Sequence, residues 1–318
     1  MAKIIDLPEI KAALESVDVI TAMQEGFMQY SNGNTVVPPV GELLFANPPG
    51  DVHIKYGYIK DDDYYVIKIA SGFYENQKLG IPSGQGLMLL FNQKTGVLEA
   101  ILLDEGHLTN IRTAAAGALV AKYFGPSEIK AIGIIGTGIQ AKLQLQYIQQ
   151  STPCRKVWLW GRNPDHAQQL KSELGDQFDI TIVSSCTEVA QHSNLIVTTT
   201  PSESPLLQIH DIVPGTLIIA VGSDTEHKQE IDSEILGNAD LLISDSIPQS
   251  KSRGEIYKAV GSGEIVADKV VELGKAIQDP KLQRINNEQT IVVDLTGVAV
   301  QDIMIASAVY RELSKNKK

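Results

Sequence analysis

The stretch that decides the fold is residues 130–141, which read KAIGIIGTGIQA. It starts as an apolar run of strand length, breaks at a glycine turn and continues with helical composition. The spacing Gly136-x-Gly138-x-x-Ala141 matches the turn between the first strand and first helix of dinucleotide-binding folds. Gly136 allows the tight turn, Gly138 lets the backbone approach a pyrophosphate, and Ala141 lets the helix pack close to the strand. Because the helix N-terminus attracts phosphates, we predict a dinucleotide site here.

Downstream of this turn, strands alternate with helices. Strands are predicted over residues 157–160, 180–183, 195–200, 217–221, 241–244 and 290–295. This alternation is typical of an α/β fold, with a parallel sheet covered by helices on both faces. A final amphipathic helix is predicted over residues 298–313.

The first hundred residues follow a different pattern. Short helices are predicted over residues 7–14 and 17–30, a proline-rich extended segment over 36–49, and strands over 52–57, 64–70, 87–91 and 98–103. Because turns or a glycine-containing loop join these strands, we expect a mainly antiparallel sheet. An alanine-rich helix follows over residues 109–124, with Thr109 as its predicted N-cap. Residues 125–127 end it and mark the expected domain crossing.

Composition narrows the class of protein. The 318 residues suggest about two domains, at roughly 150 residues each. The 27 basic and 38 acidic residues give a net charge of −11 without a basic block, which argues against nucleic acid and membranes as partners. No run approaches the ~18 apolar residues of a membrane helix, and no signal-peptide core stands out. Two cysteines and six histidines show no disulfide framework or metal-ligand spacing, so we expect a cytoplasmic protein without a metal site.

The residues after the second predicted strand bear on the choice of dinucleotide. In this fold an acidic residue about twenty positions past the glycine turn holds the ribose of NAD. Here Arg162 and Asn163 stand at the strand end instead, and a guanidinium can bind a 2′-phosphate through two hydrogen bonds. This favours NADP(H), while NAD(H) stays open because Arg162 also fits a solvated loop. Asp165 fits the first turn of the next helix, where a carboxylate is favoured in any case.

Two cations stand at unusual positions. Lys68 lies in an apolar strand, so it is either buried with an anionic partner or turned to water by strand alternation. Arg112 lies in the first predicted turn of the alanine-rich helix, where a cation is mildly unfavourable. An anion at that terminus, such as a substrate carboxylate, would account for it. A pair with Asp104 or Glu105 would account for it equally.

Asp224 follows the apolar strand 217–221. Ligands bind at the carboxyl ends of such strands in open α/β sheets, where a carboxyl group can exchange a proton with a substrate nitrogen. A cap or loop role is the commoner one for such a residue. Lys228 and Glu230 follow, and a pair between them stays open.

Together these motifs resemble the ornithine cyclodeaminase/mu-crystallin family along nearly the whole chain. The matching runs are residues 67–69, 108–116, 133–141, 198–202, 221–224 and 297–302. The run LTNIRTAAA at 108–116 is much more specific than the glycine turn alone.

The resemblance implies a homodimer in which a Rossmann-type dinucleotide-binding domain, 125–294, is inserted in an α+β substrate-binding and dimerisation domain, 1–124 plus 295–318. It implies that Lys68 and Arg112 hold the substrate carboxylate and that Asp224 transfers the proton. Asp224 and Lys68 are therefore the expected catalytic residues. Ser83 would lie near the substrate, although it also fits a plain turn. The residues expected to contact the dinucleotide are Gly136, Thr137, Gly138, Ile139, Gln140, Ala141, Arg162, Asn163 and Thr200.

One departure guides the choice of substrate. Many members of the family carry an arginine shortly after a proline in the early extended segment, and residues 36–42 contain none. This favours a compact substrate, and Arg162 favours a net reductase over a recycled NAD. We therefore predict reduction of Δ1-pyrroline-2-carboxylate to L-proline, or of Δ1-piperideine-2-carboxylate to L-pipecolate. The alternatives are an ornithine cyclodeaminase, which converts L-ornithine to L-proline and ammonia, and a non-catalytic NADPH-binding protein.

Overall fold

The computed structural model describes residues 2–315, apart from the side chains of Tyr74 and Gln77. Its helices are α1 Leu7–Leu14, α2 Val19–Ser31, α3 His107–Phe124, α4 Ile139–Ile148, α5 Pro164–Leu174, α6 Cys186–His192, α7 Ser233–Asn238, α8 Gly254–Ser262, α9 Leu273–Gln278 and α10 Ala299–Lys315. Its strands are β1 Lys3–Ile5, β2 Thr35–Val36, β3 Gly41–Ala46, β4 Pro49–Ile59, β5 Tyr64–Gly72, β6 Gly84–Asn92, β7 Leu98–Leu102, β8 Ile132–Ile135, β9 Lys156–Trp160, β10 Asp179–Ile182, β11 Leu195–Thr198, β12 Leu217–Ala220, β13 Leu241–Ser244, β14 Val270–Glu272 and β15 Ile291–Asp294.

The chain divides into two units. The first holds the residues up to Arg112 and those from Val298 onward, and the second is Thr113–Gly297. The division falls inside α3. The domain limits expected from the sequence, 1–124 with 295–318 and 125–294, stay predictions. Over the described part of the chain, no helix combines the length and the apolar character needed to cross a bilayer.

The first unit is built on a sheet with the strand order β1-β7-β6-β5-β4-β2, in which β3 also pairs with β4. The neighbours are antiparallel as predicted, except that β1 runs parallel to β7. Side chains alternate between the two faces of a strand, so Val66 and Lys68 are both buried on one face of β5. Helix α10 packs on β4, β5 and β6 and against α2. The long C-terminal helix therefore covers the middle strands.

Helix α3 begins earlier than the sequence suggested. It starts at His107, and Asp104 accepts the N–H of Leu108 at 2.8 Å through its Oδ2 atom. The prediction of Thr109 as the N-cap was therefore wrong, because Asp104 binds a free N–H of the first turn from outside the helix. Arg112 accordingly lies in the second turn.

The second unit contains a parallel sheet with the strand order β10-β9-β8-β11-β12-β15-β13-β14. This confirms the α/β fold with a Rossmann-type sheet. The strands β8, β11, β12 and β15 are buried along their whole length, as expected for central strands covered on both faces. The order of the strands reverses between β8 and β11, and ligands of such sheets bind beside that switch point.

Candidate functional site

The glycine turn lies at the switch point of the parallel sheet. Gly136 follows β8 with φ +122° and donates its N–H to the carbonyl oxygen of Trp160 at 2.9 Å. A Cβ atom on Gly136 would collide with the hydroxyl of Thr199, which follows β11. Only glycine suits this backbone conformation and this close approach. The loops after β8 and β11 therefore pack directly against each other.

The N-terminus of α4 is open toward a ligand. Its N-cap, Gly138, makes no side-chain capping bond, and a Cβ added there would meet no atom within 4 Å. Gln140 and Ala141 lie in the first turn of α4, and Ala141 is fully buried. The first N–H groups of a helix have no partner within the helix, so this end of α4 can bind a phosphate.

A cavity of about 620 Å³ adjoins this turn. Six residues predicted to contact the dinucleotide line it, namely Gly136, Thr137, Gly138, Arg162, Asn163 and Thr200. Trp160, His166 and Leu206 line it as well, whereas the predicted contacts Ile139, Gln140 and Ala141 do not. Asn163 also caps α5 through the N–H of Asp165 at 2.9 Å. The volume and the open helix end together fit a bound dinucleotide.

The first unit buries a cluster of cations around one carboxylate. Lys68 on β5 is 3% exposed, and its Nζ atom lies 3.7 Å from Oδ2 of Asp302 on α10. Arg112 donates from Nε to Oδ1 of Asp302 at 3.1 Å. Lys55, opposite Lys68 in the register of β4 and β5, is also buried and interacts electrostatically with Asp302. We call Lys55, Lys68, Arg112 and Asp302 the cation cluster.

The cation cluster is stabilised by hydrogen bonds between Gln301 and Arg112 and by the charge of Asp302. Gln301 accepts a hydrogen bond from Nη1 of Arg112 at 3.2 Å and donates its own amide N–H to the Arg112 carbonyl oxygen at 3.3 Å. Burial by itself would raise the pKa of Asp302, but Lys68, Arg112 and Lys55 together lower it below its usual value. Asp302 is therefore ionised at neutral pH. The structure thus shows a buried Lys68 with an anionic partner, and it pairs Arg112 with Asp302.

Ser83 lies beside β6 with a hydroxyl oxygen that is shielded from solvent. That oxygen has no hydrogen-bond partner among the residues that the structure describes. The carbonyl oxygen of Ser83 accepts the N–H of Phe73 at 2.8 Å, which fixes the backbone. The hydroxyl is thus available to a ligand that can form a hydrogen bond with it.

Asp224 lies in the segment after β12. Its Oδ1 atom is 2.6 Å from Nζ of Lys228, and its carbonyl oxygen accepts a hydrogen bond from Arg253 at 3.3 Å. The Asp224 side chain keeps 37% of its surface exposed. Lys228 is paired with Asp224, and the open alternative of a pair with Glu230 is wrong because Glu230 is fully buried in other contacts.

Glu230, Glu255 and Asp294 are buried carboxylic acids in the second unit. Burial raises the pKa of Glu230 to about 7, although hydrogen bonds from Thr200 and Thr198 lower it in part. Burial, with Asp294 and Glu230 nearby, raises the pKa of Glu255 well above its usual value. The pKa of Asp294 is raised in the same way, by burial first and then by nearby acids.

Sequence reasoning missed Lys55, Asp302 and the burial of Glu230. Lys55 stands in an alternating strand, as Lys68 does, so the same question of burial applied to it. Asp302 precedes the apolar residues Ile305 and Val309 of α10 by three and seven positions, a spacing that places all three on one helix face. No comparable pattern marks Glu230.

Comparison with known proteins identifies the family of this chain. The sequence model of the ornithine cyclodeaminase/mu-crystallin family matches residues 3–317. The chain is 34% identical over 299 residues to an uncharacterized cyclodeaminase of Sinorhizobium fredii, which covers 93% of this chain and 90% of that relative.

Two solved structures align with this protein over nearly the full length of both chains. An archaeal alanine dehydrogenase dimer with bound NAD aligns with a TM-score of 0.91 and 30% identity, covering 99% of this chain and 97% of that one. The Δ1-pyrroline-2-carboxylate reductase of Thermococcus litoralis, in complex with NADH and L-proline, gives a TM-score of 0.93 at 26% identity and covers 99% and 98%. The resemblance inferred from the motifs is confirmed, and this protein belongs to the ornithine cyclodeaminase/mu-crystallin family.

Proposed function

We propose that this protein is a dinucleotide-dependent reductase that converts a cyclic imine carboxylate into the corresponding cyclic amino acid. The leading reaction is Δ1-pyrroline-2-carboxylate to L-proline, with Δ1-piperideine-2-carboxylate to L-pipecolate as its six-membered homologue. The observation that carries the proposal is the cation cluster, in which Lys55, Lys68 and Arg112 gather in a buried site suited to a substrate carboxylate. The relative solved with NADH and L-proline supports the same substrate class.

Each residue has a defined part in the proposed reaction. Lys68 and Arg112 hold the substrate carboxylate, which keeps the imine carbon in a fixed position. A bound dinucleotide supplies the hydride that this carbon gains. Asp224, with Lys228 at 2.6 Å, delivers or relays the proton that the ring nitrogen gains. One hydride and one proton together convert the C=N bond into an amine.

Ser83 is proposed as a further substrate contact. A shielded hydroxyl without a partner costs roughly 1–3 kcal/mol, and the Ser83 hydroxyl has none among the described residues. A substrate oxygen or nitrogen would recover that loss. This supports a substrate-binding role for Ser83 over that of a plain turn residue.

NADP(H) is the preferred dinucleotide in this proposal, and NAD(H) stays open. Arg162 and His166 line the cavity, and none of the residues described along its wall is acidic. A guanidinium can bind a 2′-phosphate, whereas NAD-binding sites of this fold use a carboxylate on the ribose. The solved relatives are bound to NAD and NADH, and titration of this protein with both dinucleotides measures the preference.

A homodimer is part of the proposal. The edge strand β3 exposes Leu43, Leu44 and Phe45 at 53%, 69% and 44%. Exposed apolar patches of this kind mark protein interfaces, and an exposed strand edge can pair with another chain. The related alanine dehydrogenase is a dimer, which supports a second copy of this chain as the partner.

The test is a spectrophotometric screen of NADPH and NADH oxidation against cyclic imine carboxylates and against 2-oxo acids with amines. We expect oxidation with the five- or six-membered cyclic imine. Imines with a second carboxylate belong in the screen, because Lys55 adds a third cation to the site. Tight dinucleotide binding without turnover on any of these compounds would refute the reductase and support a non-catalytic binding protein.

A second candidate function is ornithine cyclodeaminase. The 34% identity to a protein named as a cyclodeaminase favours it. This reaction would release ammonia from ornithine without net consumption of a dinucleotide. A coupled ammonia assay with added NAD therefore separates the two functions.

A further inference from the structure

Glu230 is a fully buried acid whose side chain binds the ends of two neighbouring strands. Its Oε1 atom accepts the N–H of Thr200, two residues past β11, at 2.5 Å. Its Oε2 atom accepts the N–H of Gly222, two residues past β12, at 2.8 Å. Oε2 also accepts the hydroxyl of Thr198, the last residue of β11, at 2.8 Å. Three hydrogen bonds from two strand ends thus meet at one carboxyl group.

The main chain of Glu230 is held as well. Its N–H donates to Oε1 of Glu255 at 2.7 Å, and its carbonyl oxygen accepts the N–H of Leu206 at 2.7 Å. Leu206 and Thr200 both line the dinucleotide cavity. Because Glu230 has no exposed surface, its hydrogen bonds reach Thr200 and Leu206 from the protein interior and not from the cavity.

The approach of Glu230 to the end of β12 depends on glycine. A Cβ atom on Gly222 would lie 2.6 Å from Oε2 of Glu230 and would collide with the backbone of Thr200. Asp224 follows two residues later. One buried carboxyl group therefore contacts both the cavity wall, at Thr200, and the segment that leads to Asp224, at Gly222.

We propose that Glu230 is a positioning residue, which fixes the Thr200 wall of the dinucleotide cavity and the Asp224 segment in one arrangement without touching substrate or dinucleotide. The part that concerns Asp224 rests on the proposed function. The chemistry supports this role because a carboxyl group can accept hydrogen bonds at both oxygens. An amide offers one acceptor and turns its NH₂ group toward an N–H.

The test is Glu230→Gln in the full chain. Binding of NADPH and NADH is followed by nicotinamide fluorescence, and turnover is measured with the imine found in the screen. We expect the Kd of the dinucleotide to rise about tenfold, as for the loss of one hydrogen bond. We expect kcat to fall about 100-fold, the effect of misplacing a reacting group by about 1 Å. The KM of the imine should stay the same, because the cation cluster is unchanged.

The matched control is Asp211→Asn, another buried acid of the second unit. Asp211 is 3% exposed and accepts the N–H of Gln208 at 2.8 Å, within its own segment. This variant should lose stability but keep the Kd of the dinucleotide and kcat. If Glu230→Gln lowers only the melting temperature, as the control does, Glu230 is merely structural and the proposal is wrong.

A milder variant decides the matter if Glu230→Gln does not fold. Thr198→Val keeps the shape of the side chain but removes one of the three hydrogen bonds to Glu230. We expect the Kd of NADPH to rise about threefold, and an unchanged Kd would overturn the proposal. Dinucleotide binding is measured without substrate, so a failed reductase assay would leave this readout intact.

Discussion

The two units bury their carboxylic acids in opposite ways. Asp302 in the first unit is surrounded by three cationic side chains, and its pKa lies below the usual value. The carboxyl group of Glu230 in the second unit accepts hydrogen bonds from two backbone N–H groups and one hydroxyl, and burial raises its pKa to about 7. Both residues are almost completely shielded from water.

The contrast teaches that burial alone does not set the charge of an acid. Desolvation opposes the ionised form in both places, but Lys68 and Arg112 outweigh it at Asp302. The hydrogen bonds from Thr200 and Gly222 only reduce its effect at Glu230. One acid therefore gathers cations for a proposed anionic substrate, and the other joins strand ends.

The largest difference in the free energy of unfolding is expected between the variants Asp302→Asn and Glu255→Gln. Asp302→Asn leaves three buried cations without their shared carboxylate, and breaking such a pair costs about 3–5 kcal/mol in the free energy of unfolding. Glu255, whose pKa is raised, resembles an amide when it is neutral, so Glu255→Gln should cost about 1 kcal/mol. Urea unfolding at pH 6 compares the two. Equal losses of stability in the two variants would contradict the difference between the two buried acids.

Asp224 extends the comparison to an acid that keeps solvent contact. Asp224→Asn should lower kcat about 100-fold or more, the usual contribution of a general acid or base. It should leave the Kd of NADPH unchanged, because Asp224 does not line the dinucleotide cavity. Steady-state kinetics and fluorescence titration measure the two quantities. Wild-type turnover in this variant would remove Asp224 from the reaction.

The pH dependence of stability should have opposite signs at the two buried acids. The pKa of Glu230 rises from its ordinary value of 4.5 to about 7. The stability it contributes is therefore present below pH 4.5 and is lost as the pH rises through about 7, by roughly 3 kcal/mol. The pKa of Asp302 is lowered, so its contribution is present above pH 3.8 and is lost as the pH falls below that value.

Urea unfolding between pH 4.5 and 7.5 tests the sign at Glu230. The free energy of unfolding of Glu230→Gln should fall less steeply with rising pH than that of the wild-type protein. A residual slope is expected from Glu255 and Asp294, whose pKa values are also raised. Identical slopes in the two proteins would show that Glu230 does not titrate in this range.

A smaller effect than at the buried acid Asp302 is expected at a charge on the surface. Arg162 is an exposed residue on the wall of the cavity. Arg162→Ala should raise the Kd of NADPH about tenfold, equivalent to roughly 1.4 kcal/mol, because only NADPH carries the 2′-phosphate. The Kd of NADH should change little. Equal losses for the two dinucleotides would refute the 2′-phosphate assignment.

Much of the fold could be predicted because its elements are long or strongly patterned. The central strands of the second unit are apolar runs with buried neighbours, and α10 carries a clear helical period. The strands β1 and β14 escaped prediction because they have three residues each, and only pairing with a distant strand fixes them. The predicted start of α3 was wrong because Asp104, the acid that caps the helix, lies before its first residue.

Several residues of the candidate site could be named from the sequence for a similar reason. Local motifs pointed to the glycine turn, Lys68, Arg112 and Asp224, since each stands at a recognisable place in a strand or helix. The partner of Arg112 could not be found in this way, because Asp302 is 190 positions away along the chain. Long-range pairings of this kind leave no mark on the nearby sequence.

That separation also sets the order in which the protein can be completed on the ribosome. Translation adds roughly 5–20 residues per second, so about 10–40 s pass between the synthesis of Arg112 and that of Asp302. Over this time β4 to β6 exist without α10, the helix that covers them. Nascent chains arrested before Ala299 should therefore be cleaved by protease within these strands. The strands of the first unit therefore remain uncovered until α10 leaves the exit tunnel.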